Sequence, residues 1–288
     1  MQLDNTKRIS KWYHGGLASA AAACCTHPLD LLKVHLQTHQ GTRIGGTQMA
    51  VNIIRSQGLT ALYNGLSASV GRQLTYSMTR FAFYDVMKPL MIKKGKDPTM
   101  AQKMLLASIG GFMGGVVGTP CDMINVRMQN DIKLPVELRR NYKHVFDGLY
   151  QVATKEGVST LFNGVTMAST RAVLITNGQL AFYDQIKENL LQTSFFQDNI
   201  ITHLTASMMA GTIATAMTQP VDVMKTRLMN AKKGEYRGIW DCVVQTGKQG
   251  PLSFFKGFVP AFIRLGPQTI LIWVFKEQLR LRFGKHPV

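Results

Sequence analysis

Three stretches of the chain carry one signature in register, and no other feature restricts the fold so strongly. They run Pro28, Asp30, Lys33, His35, Gln37; then Pro120, Asp122, Asn125, Arg127, Gln129; then Pro220, Asp222, Lys225, Arg227, Met229. A second signature follows each: Gln57-Gly58 to Asn64-Gly65, Glu156-Gly157 to Asn163-Gly164, and Gln249-Gly250 to Lys256-Gly257. Seven residues after each closing glycine stands an arginine: Arg72, Arg171, Arg264. Thirteen residues further comes an acid (Asp85, Asp184, Glu277), and three beyond that a base (Lys88, Lys187, Arg280). Self-similarity at a fixed period marks a repeat architecture. The 288 residues are therefore expected to be three copies of one unit, 1–95, 96–195 and 196–288, building a single body.

Each unit opens on an interval with no Asp, Glu, Lys or Arg: 12–29, 104–121 and 199–221. Helices of that length cross a hydrocarbon core of roughly 30 Å. Small residues recur four apart within them, as at Gly110 and Gly114, Gly111 and Gly115, and Ala206, Ala210 and Ala214. That spacing lets helix backbones approach closely in lipid. The second half of each unit is mostly apolar between its arginine and its acid, and reads as a second spanning helix with the arginine inside the bilayer. Gly65 to Lys88, for example, makes about 35 Å of helix. Short amphipathic segments near 47–55, 143–155 and 237–248 join the two. The expected fold is an all-α membrane protein, with six transmembrane helices in three pseudo-symmetric repeats and short amphipathic helices on the inner side. Lys133, Arg139, Arg140, Lys232 and Lys233 concentrate positive charge near those segments, which places these loops on the inner side of the membrane and both termini opposite.

Composition removes other classes. Lys and Arg number 33 against 16 Asp and Glu, a formal charge of +17, so an anionic partner is expected. Only 17% of residues are charged, low for a chain living wholly in water, and the apolar share of 45% excludes disorder. A nucleic-acid binder would not explain the charge-free intervals, and no basic helix with interleaved aromatics lies outside them. An enzyme is disfavoured: there is no GxSxG, no phosphate-binding loop and no His/Cys cluster. Cys24, Cys25, Cys121 and Cys242 form no CxxC pair, so neither a metal site nor a disulfide framework is expected, and Cys24 and Cys25 read as small buried thiols. Residues 1–11 show no cleavable signal.

The tripled proline–acid–base signature resembles the mitochondrial carrier family of inner-membrane exchangers, over residues 11–284. The resemblance implies one transport domain in the mitochondrial inner membrane, with both termini facing the intermembrane space and no cofactor or metal. Its dicarboxylate-exchanging members are the nearest in pattern. They imply exchange of malate, succinate or malonate for phosphate, sulfate or thiosulfate by alternating access. A 2-oxoglutarate–malate exchanger and an uncoupling-type anion/proton carrier are the alternatives. The resemblance also implies cardiolipin at the inner helix ends, near Gly65, Gly164 and Gly257; a monomer would suffice. His35, Asn125 and Met229 depart from the family pattern, as do Gln57 and Gln249 in place of an acid.

Physics assigns roles to the repeated charges. A guanidinium deep in a membrane persists mainly where it faces water or a partner. Arg72, Arg171 and Arg264 would meet at one depth, with no acid nearby on their own helices. Arginine stays charged and offers a planar fork to carboxylate or phosphate. Tyr76 and Arg80, one and two turns beyond Arg72, would line the same wall, and the resemblance makes the corresponding positions substrate contacts. An arginine at position 171 also speaks, by resemblance, against an adenine-nucleotide carrier. The prolines Pro28, Pro120 and Pro220 would kink their helices and swing Asp30, Lys33, Asp122, Asn125, Asp222 and Lys225, with Gln37 and Gln129, into an inner gate. With Asn125 in place of a base, two of three ring pairs are expected, leaving Asp30 a hydrogen bond at best. Asp85, Lys88, Asp184, Lys187, Glu277 and Arg280 would form an outer gate with all three pairs.

Overall fold

In a computed structural model the described residues are 12–39, 45–91, 99–131, 133–134, 137, 139–193, 197, 199–231 and 234–284. Lys232, Lys233 and residues 1–11 lie outside them. Each third of the chain folds as a long helix, a short helix, a 3-10 turn and a second long helix. The long helices are α1 (Trp12–Thr38), α3 (Leu66–Met91), α4 (Met100–Asp131), α6 (Val165–Leu191), α7 (Ile200–Asn230) and α9 (Phe258–Phe283). The short ones are α2 (Gly46–Gln57), α5 (Val145–Lys155) and α8 (Ile239–Lys248). The six long helices pack α1–α3–α4–α6–α7–α9 and back to α1, closing a ring.

Small residues set the spacing of that ring. A Cβ at Gly110, Gly114 or Gly118 would press on Arg80 or Tyr76 of α3. One at Gly111 or Gly115 would press on Ala172 or Ser169 of α6, so adjacent rows of α4 serve two neighbours. Pro28, Pro120 and Pro220 lie inside their helices, which run on to the signature glutamines and beyond. Near each proline a threonine hydroxyl donates to the carbonyl one turn back: Thr26 to Ala22, Thr119 to Gly115, Thr218 to Ala214. Back-bonding of this kind bends a helix.

Burial runs opposite to that of a water-soluble protein. Asp30, Lys33, Asp122, Asp222, Lys225, Gln37 and Gln129 are buried. Phe112, Val117, Ile201, Met217, Phe262, Ile263 and Trp273 are exposed. An apolar exterior around a charged interior fits a solvent of lipid. By mean hydropathy α4 and the segment Pro251–Phe283 are long and apolar enough to cross a membrane. α1 and α7 hold charge-free stretches of the same length, whose mean hydropathy small and hydroxyl residues lower, and α3 and α6 carry charges along their length.

The short helices are amphipathic and seat one face on the helix ends. Met49 and Ile53 pack on Leu31 and Leu36, Val145 and Val152 on Met123 and Ile124, and Cys242 on Val223 and Met224. Phe146, Tyr150 and Trp240 remain exposed on the other side, as an interfacial helix requires. The Lys143 amide and Gln151 hold the Asp147 carboxyl below the usual range, and the Arg237 amide and Gln245 do the same for Asp241. Cys25 is exposed and Cys24 half-buried, so neither is the buried thiol expected from the Ala-rich run; only Cys242 is buried.

Glycines at positive φ lock the repeats together. Gly65, Gly164 and Gly257 have φ of 83°, 82° and 78°. A Cβ on Gly65 would lie 3.1 Å from Gln129, on Gly164 3.2 Å from Met229, and on Gly257 2.9 Å from the Lys33 carbonyl. Each turn thus abuts the first long helix of the next repeat, α4, α7 and α1 in turn. Gly257→Ala is expected to cost about 1–3 kcal/mol through strain plus clash. Gly234→Ala, at φ 85° with open space around it, should cost less. Thermal unfolding of the two purified variants checks the difference.

Candidate functional site

The signature charges converge at one end of the ring in a buried lattice. Lys33 pairs with Asp222 and Lys225 with Asp122, linking α1 to α7 and α7 to α4. By the same cyclic order position 125 would serve Asp30. Asn125 has no charge, and its amide oxygen instead accepts from Gln129 Nε2 at 3.2 Å. Two ring pairs therefore form, as expected. Gln37 braces one of them, donating to Asp222 at 3.2 Å while Thr226 donates to its amide oxygen at 2.8 Å.

Asp30 is better held than expected. Arg264 Nη1 donates to its Oδ1 at 2.5 Å, and Arg72 Nη2 lies 3.5 Å from Oδ2. The deep arginines were expected to find no acid; all three find one on a neighbouring helix. Arg72 Nε lies 3.6 Å from Asp122 Oδ1, and Arg171 Nε lies 2.6 Å from Asp222 Oδ1 as an ion pair out of line for a hydrogen bond. The arginines' own helices hold no such acid; the acids sit on the adjacent helices, far from the arginines in sequence. The lattice holds three acids and five bases: Asp30, Asp122 and Asp222 against Lys33, Lys225, Arg72, Arg171 and Arg264. It carries a surplus of two positive charges.

A further tier, read from sequence only as departures from a pattern, secures the helix ends. Arg127 forks onto Glu156 at 2.6 and 2.9 Å, and its Nε donates to the Met229 carbonyl at 3.3 Å. Arg227 donates to Thr246 and Gln249 at 3.0 and 2.9 Å, and to the Gln37 carbonyl at 3.4 Å. His35 keeps the cross-repeat member of this set, its Nε2 donating to the Gln129 carbonyl at 2.6 Å. The base position of each repeat thus holds the glutamine position of the next. The partner before the glycine varies with the repeat: Glu156 for Arg127 and Gln249 for Arg227, with Gln57 at the equivalent position of the first repeat. The Gln57 side chain lies outside the described residues.

Beyond the lattice lies a cavity of about 760 Å³, lined in part by Arg80, Tyr84, Lys103, Thr176, Gln179, Tyr183 and Lys276. Of the five expected substrate residues only Arg80 lines it. Tyr76 lays its ring against the Gly114–Gly118 row. Glu277 pairs with Arg280 at 2.5 Å within α9, not with another repeat, because three residues of helix set them on one face. Lys88 stands over the Tyr84 ring at 5.9 Å, and Asp184 is exposed. The Asp85 side chain lies outside the described residues. Among the described residues no group of His, Cys, Asp and Glu could hold a metal ion.

A ring of six long helices in three repeats, with a charged lattice across one end and a cationic cavity above it, is the architecture of a membrane carrier. The profile of the family described as "Mitochondrial carrier protein" matches residues 5–95, 96–194 and 196–287, and the chain belongs to that family. It is 55% identical over 287 residues to the mitochondrial dicarboxylate carrier of Caenorhabditis elegans, covering 100% of this chain and 99% of that protein. It is 40% identical to a mitochondrial dicarboxylate transporter of Saccharomyces cerevisiae, over 93% of this chain and 91% of that one. It is 39% identical to the mitochondrial 2-oxoglutarate/malate carrier protein of Bos taurus, over 96% and 91%.

Proposed function

We propose that the chain is a mitochondrial inner-membrane antiporter exchanging dicarboxylates such as malate, succinate or malonate for phosphate, sulfate or thiosulfate. The observation that carries this reading is the surplus of two positive charges in the lattice, which one dianion neutralises. The relatives named for dicarboxylates support it. Positive residues by the short helices support an inner-side placement for them, with both termini facing the intermembrane space. Phe146 and Tyr150 on α5 and Trp240 on α8, all exposed, support seating at a lipid surface, and the positive residues nearby favour acidic lipids such as cardiolipin at the helix ends near Gly65, Gly164 and Gly257. One closed ring per chain supports a monomeric transporter.

Arg72, Tyr76, Arg80, Arg171 and Arg264 bind substrate in this reading, and the bound arginines also hold the inner gate. A dianion reaching the lattice competes with Asp30 for Arg264 and with Asp222 for Arg171. Each acid released leaves the ring held by Lys33–Asp222 and Lys225–Asp122 alone. Once water enters, such pairs are worth roughly 0–1 kcal/mol each, so the inner end opens. The outer residues then draw together, Asp85, Asp184 and Glu277 meeting Lys88, Lys187 and Arg280 of neighbouring repeats. An empty site leaves the arginines on their acids and the inner gate shut, which couples return to a counter-substrate. No catalytic group or cofactor takes part.

Competition against labelled malate in proteoliposomes tests the assignment. Malonate and phosphate are expected to displace it strongly and oxoglutarate weakly. Strong displacement by oxoglutarate, with none by phosphate, would assign the chain to the oxoglutarate–malate class instead.

A further inference from the structure

Arg80, Lys103 and Lys276 line the cavity above the lattice, and no Asp or Glu is among the described residues of its wall. They come from α3, α4 and α9 respectively. None of the three has an ion-pair partner among the described residues, whereas all three deep arginines are engaged by aspartates. The free positive charge of the accessible space therefore sits above the lattice, not in it.

Sequence register makes Lys276 the informative member. In each repeat the residue before the outer acid is at an equivalent position: Tyr84 before Asp85, Tyr183 before Asp184, Lys276 before Glu277. All three line the cavity, so the repeat geometry turns this position inward. Two copies present a phenol and the third an ammonium. Lys276 is itself exposed, so the cavity gives this charge its aqueous surroundings. By helical rise Lys276 stands about 18 Å above Arg264, and Arg80 about 12 Å above Arg72. Gly110 abuts Arg80, and Lys103, seven residues earlier on α4, lies about 10 Å further toward the mouth. The cations thus descend from the mouth as Lys103, Lys276, Arg80.

We infer that Lys103, Lys276 and Arg80 form an outer capture site that holds a small dianion, a dicarboxylate or a doubly charged oxoanion, before it reaches the engaged arginines. This rests on the anion-carrier reading and adds a first stop to it. Tyr84 offers a hydroxyl at the level of Lys276 and Gln179 an amide on the α6 wall, while the Tyr183 hydroxyl meets His203 Nδ1 at 2.5 Å and the Thr176 hydroxyl donates to the Ala172 carbonyl. A dianion held there raises the local concentration facing Arg171 and Arg264 without having to break their aspartate pairs. Occupancy of the upper site is then set by affinity, and release from the lower site sets turnover.

The test uses full-length protein in proteoliposomes, with labelled malate supplied on the outer face. Lys276→Leu and Lys103→Gln, both at exposed positions, are each expected to raise the outer-face KM about five- to tenfold, the loss of one charge-assisted contact. Saturated exchange should change less than about twofold, and the KM should depend less on salt. Lys276→Arg should restore the KM. An unchanged KM in both variants would overturn the capture site. So would a fall in saturated exchange at constant KM, which would place Lys276 in the outer gate. Arg171→Ala run alongside separates the two readings: if it is inactive while the lysine variants behave as wild type, the capture site fails and the carrier reading stands.

Discussion

Arg171→Ala is expected to cut malate/phosphate exchange by about a hundredfold or more. The guanidinium does two things at once. It supplies half of the positive surplus that a dianion neutralises, and it holds Asp222 at 2.6 Å. Truncating one member of a buried charge pair costs about 2–5 kcal/mol, and each 1.4 kcal/mol is a factor of ten. Lys33 still pairs with Asp222, so the variant should insert and fold, and a loss of protein is not the expected cause. Arg171→Lys separates charge from shape. It keeps the net charge and forfeits the fork, so partial exchange with a raised KM is expected. Initial rates in proteoliposomes, normalised to inserted protein, measure both.

Most of the fold was legible because it is written three times. A single Pro-x-Asp-x-x-Lys is a common helical pattern; three such stretches in register, the second with Asn125 for the base, each followed by a glycine turn and a deep arginine, admit one ring. The short helices were readable from their amphipathic period. The extent of α1, α4 and α7 was less so. The charge-free intervals end at the signature prolines, yet the helices run on past Gln37, Gln129 and Met229. There the charges are buried in pairs, and hydropathy alone cannot tell a paired charge from a solvated one.

The site was legible as a set of residues and misread as a set of contacts. Arg72, Arg171 and Arg264 were recognised as deep and set apart from the acids, because acid and arginine lie on different helices and far apart in sequence. Arg264 meets Asp30 across 234 positions. Asn125 illustrates the same difficulty. Its loss of charge correctly predicted a missing ring pair, but not that two guanidiniums would take over Asp30. Lys276 left a clear trace, a base where two repeats have tyrosine, that only alignment of the outer ends of the helices exposes. His35 likewise retains one bond of a geometry common to the three repeats, and its partner Gln129 lies in another repeat.

If binding site and inner gate are the same arginines, removing an acid should improve binding while impairing transport. Asp222→Asn tests this most directly. The substitution keeps the size of the side chain, releases Arg171 and Lys33 from a negative partner, and raises the surplus of the lattice from two charges to three. The malate dissociation constant, measured by equilibrium binding to purified protein in lipid nanodiscs, is expected to fall about tenfold, a gain of roughly 1.4 kcal/mol, while exchange in proteoliposomes slows because the gate no longer closes on an acid. Unchanged or weaker malate binding in Asp222→Asn would mean that aspartate and substrate do not compete for Arg171, and the coupling of binding to gating described above would be wrong.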